Sequence, residues 1–404
     1  MIKPLSVLAL VVTLVYAHAE MIAQDFVVRK YATRVERNVV YGTAIRFDGR
    51  TDTLRLNFFR PQADGNRRRP LIVWVHGGGF TGGSRSDFDV LAQACAERGY
   101  AAVTISYRLG FYPPTGLTNP YAYDSAEVVR AAYRASQDLF GAMRYMASRA
   151  ASDSINPSFA IIGGASAGGI TALQAAYIDE TERYECTRAL APIPAVASPE
   201  RLDLGPTTGT LHTSVATPRI LAVVNLFGGI PDTSFINSVD DPALYQYHQT
   251  GDPVVACRYA KGLWSYPFGI PDNYYYIHGS CNIKSRVERL GFTSTRHRSW
   301  IFGGNVHGFH DPVAIDLDIA TFLAPLVLDA ATSVEATDDG SAVVMYSDRV
   351  CIADLTGRVV FEGQLPEGQL RAGQLPEGKA FHTLPNGAYV MRMGVETRLF
   401  MVLR

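Results

Sequence analysis

Short apolar runs alternate with helix-forming segments through much of this chain, and that alternation most constrains its fold. Each run is apolar at successive positions, which is typical of strands buried on both faces of a helix-covered parallel sheet. Apolar residues spaced for one helical face lie between them, as in the segment before Gly99 and in the longer one from Val128 to Met146. The runs are 71–75, 102–105, 159–162 and 220–224. We therefore expect an α/β domain with a doubly wound, mostly parallel sheet.

Strand-forming segments of another kind lie on either side of these runs. Two alternating segments within 39–59 flank Asp48-Gly49-Arg50, which predicts an antiparallel hairpin at the sheet edge. The core pattern stops near Leu328, and residues 329–341 are small, polar and acidic, as expected of a linker. Residues 342–404 are strand-rich and contain a Gly-Gln-Leu-Pro-Glu-Gly repeat at 363–368 and 373–378. They predict a small C-terminal β-sandwich domain.

The N-terminus has the layout of a secretory signal. Lys3 precedes an apolar run from Leu5 to Ala17, followed by the small-residue pattern Ala17-His18-Ala19. A membrane anchor is the alternative, but a spanning helix needs about 20 apolar residues, more than this run supplies. We interpret 1–19 as a signal peptide and 20–328 as the α/β domain, which predicts a secreted or cell-surface protein.

Composition excludes several partners. The chain has 37 Lys and Arg against 38 Asp and Glu, so no strong positive field would hold a nucleic acid. No Cys-x-x-Cys, His-x-x-x-His or Cys/His cluster is present, and we expect no metal or other cofactor. Five cysteines in an exported chain permit disulfides, and the odd number leaves at least one unpaired within it.

The strongest chemical motif is Gly164-Ala165-Ser166-Ala167-Gly168, between a strand and a helix-like segment. Such a nucleophile elbow strains the serine and holds its hydroxyl above the sheet. A second glycine-rich segment, His76-Gly77-Gly78-Gly79-Phe80, follows the 71–75 strand. A phosphate loop would need a Lys and a Ser or Thr that are absent here, so the segment predicts an oxyanion hole. Its donors would be the N–H groups of Gly78, Gly79 and Ala167.

The base and the acid each have two candidates. His307 lies on the glycine-rich turn after 300–302, whereas His310 starts the last helix, and we favour His307. Asp252 follows the 243–247 strand, at the carboxyl end where such sheets hold their sites. Asp272 precedes an apolar segment and would lie at the wrong end of its strand, so we favour Asp252.

These motifs resemble those of the α/β-hydrolase superfamily, over about residues 38–327. The sequence is most similar to carboxylesterases with a His-Gly-Gly-Gly-Phe loop, and to the secreted acetylxylan and feruloyl esterase-like branch. There the acid stands in a His-Gly-Thr-x-Asp turn, where this chain has Gln249 for the glycine; Ala256 replaces a frequent proline. The Tyr-Arg-Leu segment at 107–109 also matches, and Arg108 is expected to pair with Asp138.

The resemblance implies an α/β-hydrolase fold and a serine carboxylic ester hydrolase that forms an acyl-enzyme. The substrate would be a small-molecule or polymer-linked ester, with short-chain acyl, acetyl or feruloyl groups. A secreted serine peptidase and a catalytically inactive binding module are the alternatives. Cys257 and Cys281, in an irregular insertion after the acid turn, are expected to form a disulfide.

The tail resembles the C-terminal sorting domain of type IX secretion substrates. The similarity lies in 352–358 and in Leu384-Pro385-Asn386-Gly387-Ala388-Tyr389, although the usual Asn-Pro opening is missing. It implies an outer-membrane secretion machinery as a partner. An ordinary β-sandwich binding module is the alternative.

Overall fold

A computed structural model of the chain describes residues 26–194, 201–332, 349–354, 359–364, 387–393 and 396–402. Its strands are β1 (Thr33–Ile45), β2 (Thr51–Pro61), β3 (Arg69–Val75), β4 (Ala101–Ile105), β5 (Ile155–Ala165), β6 (Arg219–Leu226), β7 (Gly229–Ile230), β8 (Ala243–Gln249), β9 (Tyr259–Lys261), β10 (Tyr276–Gly279), β11 (His297–Phe302), β12 (Arg349–Asp354), β13 (Val359–Gln364), β14 (Gly387–Met393) and β15 (Glu396–Val402). Its α-helices are α1 (Asp89–Glu97), α2 (Ser125–Ser148), α3 (Ala150–Asp153), α4 (Ala167–Tyr177), α5 (Ser280–Leu290) and α6 (Pro312–Thr332).

Eight strands form the central sheet, in the order β1-β2-β4-β3-β5-β6-β8-β11. The strands from β4 to β11 in this order run parallel, whereas β2 is antiparallel to both β1 and β4. The residues of β4 and β8 are buried throughout, as expected for inner strands covered on both faces. The predicted doubly wound sheet is confirmed, and so is the β1–β2 hairpin at its edge.

The helices have recognisable start signals. Asp124 caps α2 by accepting a hydrogen bond from Glu127 N–H at 3.0 Å, and Asp311 accepts from Val313 and Ala314 N–H at the start of α6. Most of α2 is buried, and the buried residues include charged side chains such as Arg130 and Asp138 as well as the apolar stripe. Within the described part of the chain, no helix is long and apolar enough to cross a membrane.

The chain divides into two units, residues 24–326 and a unit that contains residues 327–404. In the latter, β13-β12-β14-β15 form an antiparallel sheet, and a second layer of the predicted sandwich is not among the described residues. Helix α6 extends to Thr332, so the predicted linker 329–341 begins as helix; its Ala-Ala pair favours that state. The signal peptide 1–19, linker residues 333–341 and the second repeat copy lie outside the described residues.

The predicted ion pair between Arg108 and Asp138 joins the loop after β4 to α2. Arg108 contacts the Asp138 carboxylate at 2.8 Å, and the Arg108 backbone N–H donates to the same group at 2.7 Å. The guanidinium also donates to the Gln137 side chain and the Ile45 carbonyl. Because the Asp138 side chain is almost completely buried, loss of Arg108 would leave it without its cation.

Arg108→Ala is expected to lower the free energy of unfolding by about 3–5 kcal/mol, since it leaves the Asp138 carboxylate buried without its cation. Arg188→Ala is the control, because its pair with Glu185 is solvent-exposed and should contribute at most about 1 kcal/mol. Urea unfolding of both variants measures the difference. Equal losses would contradict the assignment.

Candidate active site

Ser166 occupies a strained turn between β5 and α4. Its backbone has φ 56° and ψ −121°, a conformation that residues other than glycine rarely adopt. The glycines beside it are required by space: a Cβ on Gly164 would lie 2.5 Å from the Val75 carbonyl oxygen, and one on Gly168 would lie 2.0 Å from the same oxygen. The predicted tight elbow is therefore present, and it requires small residues beside the serine.

The second glycine-rich segment packs directly against this elbow. A Cβ on Gly77 would lie 3.0 Å from the Ala165 carbonyl oxygen and 3.2 Å from Ser166 Cβ. Gly78 and Gly79 follow with φ of 109° and 60°, conformations that glycine adopts readily. The N–H groups of Gly78, Gly79 and Ala167 have no hydrogen-bond partner among the described residues. These groups are the candidate oxyanion donors.

The His76 side chain packs between the glycine-rich segment and Tyr107. Its ring is buried, stacks on Tyr107 with centroids 4.5 Å apart, and lies 2.7 Å through Nδ1 from the Gly77 carbonyl oxygen. The Tyr107 hydroxyl donates to the His76 carbonyl at 3.1 Å. Burial lowers the pKa of His76 below its ordinary value, so it contributes a neutral ring to this packing.

Asp252 and His307 form a hydrogen-bonded pair. His307 Nδ1 lies 2.7 Å from Asp252 Oδ2, and Asp252 Oδ1 accepts the N–H groups of Val254 and Val255 at 2.8 and 3.0 Å. Trp264 Nε1 donates to the Asp252 carbonyl at 3.0 Å. Every oxygen of the aspartate thus has a donor, and the carboxylate has one orientation.

The charge of Asp252 is stabilised despite its burial. Burial by itself raises the pKa of the Asp252 carboxyl, but the nearby His248 and His307 imidazoles and the Val254 N–H outweigh it. Together they hold that pKa at about 2. The carboxylate is therefore ionised at neutral pH and can stabilise an imidazolium at His307.

Phe227 links the serine to the histidine. The Ser166 N–H donates to the Leu226 carbonyl at 2.9 Å, and the next residue, Phe227, packs its ring edge-on to His307 with centroids 4.8 Å apart. The described residues include no hydrogen bond between the Ser166 hydroxyl and His307. Such catalytic contacts are often long without substrate and tighten when it binds.

The competing candidates lie elsewhere. His310 stacks on Phe302 with centroids 3.8 Å apart, and its Nδ1 lies 3.0 Å from the Tyr247 hydroxyl, so it packs the end of the sheet. Asp272 lies in a short turn at 270–273 before β10, which belongs to a separate sheet, β7-β10-β9. The structure thus pairs His307 with Asp252.

Gln249 stands where the resembling motif has glycine, and the structure gives its side chain contacts with the loop that carries His307. Its Oε1 accepts the Val306 N–H at 3.0 Å, and its Nε2 donates to the Gly308 carbonyl at 3.0 Å. It therefore holds the peptide groups on both sides of His307. Sequence reasoning missed it because the partners lie on another strand's loop.

The predicted disulfide is confirmed. Cys257 and Cys281 are bonded, and they join the loop after Asp252 to the first turn of α5. Cys95 and Cys186 are free thiols, and Cys95 is buried. The insertion that carries Trp264 is therefore covalently tied beside the acid.

Two family models match parts of the chain. A family model described as the carboxylesterase family matches residues 27–116, and one described as the alpha/beta hydrolase fold matches 72–205. The chain has the α/β-hydrolase fold.

Similar individual proteins are esterases, matched in part. Carboxylesterase 1C of Rattus norvegicus is 34% identical over 121 residues, 30% of this chain and 20% of that protein. The fumonisin B1 esterase of Sphingopyxis macrogoltabida is 41% identical over 59 residues, 15% of this chain and 11% of that protein. The chain thus spans a fifth or less of the length of these two relatives. A solved esterase from Thermogutta terrifontis has a TM-score of 0.43 and 19% identity, covering 74% of this chain and 94% of that one.

Asp252→Asn should lower kcat by about ten-thousandfold near neutral pH, because an amide disfavours the imidazole tautomer that accepts a proton at Nε2. Asp272→Asn should stay within a few-fold of the native protein. Steady-state ester hydrolysis compares them, and the reverse ranking would show that the acid is Asp272.

Gln249→Leu should lower kcat by about 10- to 100-fold, because it removes both contacts that flank His307 and a small misplacement of a reacting group is costly. Gln246→Leu is a matched control, since Gln246 is also buried on β8 but contacts Ser299. Comparable losses in the two variants would mean that β8 is perturbed generally and that Gln249 has no special role.

Proposed function

We propose that this protein is a secreted serine carboxylic ester hydrolase with Ser166 as nucleophile, His307 as base and Asp252 as supporting acid. One observation carries the proposal: a strained serine at a strand-to-helix elbow is hydrogen-bonded to Leu226, and the next residue, Phe227, packs on a histidine whose Nδ1 is bonded to a buried carboxylate. A packing role alone would not require a strained serine, a buried ionised acid and a glycine-rich segment in one place.

The reaction follows from the hydrogen-bond directions. His307 Nδ1–H donates to Asp252, so Nε2 carries the lone pair and accepts the Ser166 hydroxyl proton as Oγ attacks the ester carbonyl. The N–H groups of Gly78, Gly79 and Ala167 then stabilise the oxyanion. The imidazolium returns the proton to the leaving alcohol, and water hydrolyses the acyl-enzyme by the same steps.

The comparisons support ester over peptide substrates. The carboxylesterase family model covers the segment with the His-Gly-Gly-Gly-Phe loop, and the similar proteins described above are named as esterases. By resemblance the acyl group is short, acetyl or feruloyl, on a small molecule or a polymer. A serine peptidase is the second reading of the same triad, and an inactive binding module would have no use for the paired acid and base.

Export is the remaining part of the proposal. Residues 1–19 would direct secretion, and residues 342–404 would engage an outer-membrane secretion machinery. The Cys257–Cys281 disulfide supports an oxidising destination, because such bonds persist mainly outside the cytosol.

Ser166→Ala should abolish turnover of a chromogenic acetyl ester, with a loss on the order of a millionfold, since triad members act as a unit. Ser285→Ala, at an exposed position on α5, should keep native activity. If the Ser166 variant retained a tenth of native turnover, another residue would be the nucleophile.

A further inference from the structure

A series of hydrogen-bonded buried side chains connects the end of β6 to Asp252, and the proposed reaction does not use it. It passes through Asn225, Ser280 and His248, none of which is exposed to solvent. Buried polar side chains are costly unless their hydrogen bonds are satisfied. One donor of known direction determines the direction of each hydrogen bond in this series.

The fixed donor is the Gly228 backbone N–H, which donates to Asn225 Oδ1 at 2.9 Å. Since Oδ1 is the acceptor, Asn225 Nδ2 donates, and its partner is Ser280 Oγ at 3.1 Å. The Ser280 hydroxyl proton is then free to donate to His248 Nδ1, 2.9 Å away. The Ser280 backbone N–H, which can only donate, also faces Nδ1 at 3.4 Å.

The other ring nitrogen of His248 faces only acceptors. Nε2 lies 2.8 Å from the Val255 carbonyl oxygen and 3.4 Å from Asp252 Oδ2. Donors at Nδ1 and acceptors at Nε2 permit one arrangement, with the proton on Nε2. His248 thus presents an N–H to the acid turn and to the carboxylate oxygen that also accepts from His307.

This arrangement closes a loop around the acid. The Val255 carbonyl accepts from His248 while the Val255 N–H donates to Asp252 Oδ1, so the same residue is held from both sides. Ser280 is the first residue of α5 and precedes Cys281, whose disulfide to Cys257 ties it to the turn. The turn, the helix start and the imidazole are therefore one connected unit.

We propose that His248, held in its Nε2–H tautomer by Ser280 and Asn225, is a positioning residue that orients the Asp252 carboxylate toward His307. This inference rests on the proposed function, because it assigns His248 a role through the triad acid. His248 itself touches no reacting atom and acts only through Asp252 and Val255.

Three variants test the role by kinetics. His248→Phe keeps a ring but removes both nitrogens, and should lower kcat by about 10- to 100-fold with KM within about twofold. His248→Gln retains an N–H donor and should recover at least part of that loss. His297→Phe is the matched control: His297 also bonds a serine hydroxyl, Ser299 at 2.6 Å, but at the amino end of β11. The His297→Phe variant should keep kcat within about twofold of the native value, because His297 is not linked to Asp252.

A double-mutant cycle separates positioning from general structure. Where Asp252 is already Asn, His248→Phe should change kcat by less than about threefold, because the carboxylate it acts through is gone. Losses that simply multiply would overturn the proposal. Ser166→Ala is measured beside them: activity in that variant sinks the proposed function, whereas full kcat in His248→Phe with an inactive Ser166→Ala sinks only the His248 role.

Nitrogen-15 NMR of histidine-labelled native protein tests the tautomer directly. The native His248 should show a protonated Nε2 and an unprotonated Nδ1. Ser280→Ala should weaken that preference and lower kcat in the same direction as His248→Phe. A proton on Nδ1 of native His248, or full kcat in Ser280→Ala with a mixed tautomer, would overturn the proposal.

Discussion

The parallel register of the central sheet brings the separate parts of the candidate site together at one edge. Val75 pairs with Gly164, Ala165 with Leu226, Leu226 with Tyr247 and Gln249 with Phe302. Each of these positions is the last, or nearly the last, of its strand. The glycine-rich segment, the elbow, the Phe227 turn, the acid turn and the base turn therefore leave the sheet side by side. Parallel strands place all their carboxyl ends on one edge, and the chemistry is assembled there.

Burial of charge is the cost of this arrangement, and each buried carboxylate near the sheet edge has its own donors. Asp252 has two backbone N–H groups, His307 and the facing N–H of His248, while Asp138 has Arg108. An unpaired buried carboxylate would instead take up a proton. In Asp252 the donors also determine direction, since they leave the side chain one orientation relative to the base.

Much of the fold and part of the site could be predicted from the sequence. The apolar runs located β3, β4, β5 and β6 because strands buried on both faces leave an unbroken signal. The elbow could be found because its glycines are required by close contacts, with Val75 and within the helix turn itself. The choice of Asp252 over Asp272 followed from strand polarity, and the Asp252–His307 contact agrees with it.

The parts that sequence reasoning missed depend on contacts between distant loops. Gln249 holds residues 306 and 308, and Ser280 meets His248 across 32 positions of the chain. Neither pairing has a local signature, because both follow from register and from where α5 begins. The extension of α6 into the predicted linker reflects a weaker local signal, in which alanines continue the helix beyond Leu328, where the core pattern stops.

Covalent labelling tests whether Ser166 is acylated with the help of His307. Native protein is treated with a fluorophosphonate that mimics the acyl transition state, digested, and mapped by mass spectrometry. We expect one adduct, on the peptide that contains Ser166, with labelling greatly slowed in His307→Ala. An adduct on another residue, or ester hydrolysis that continues while Ser166 stays unlabelled, would contradict it.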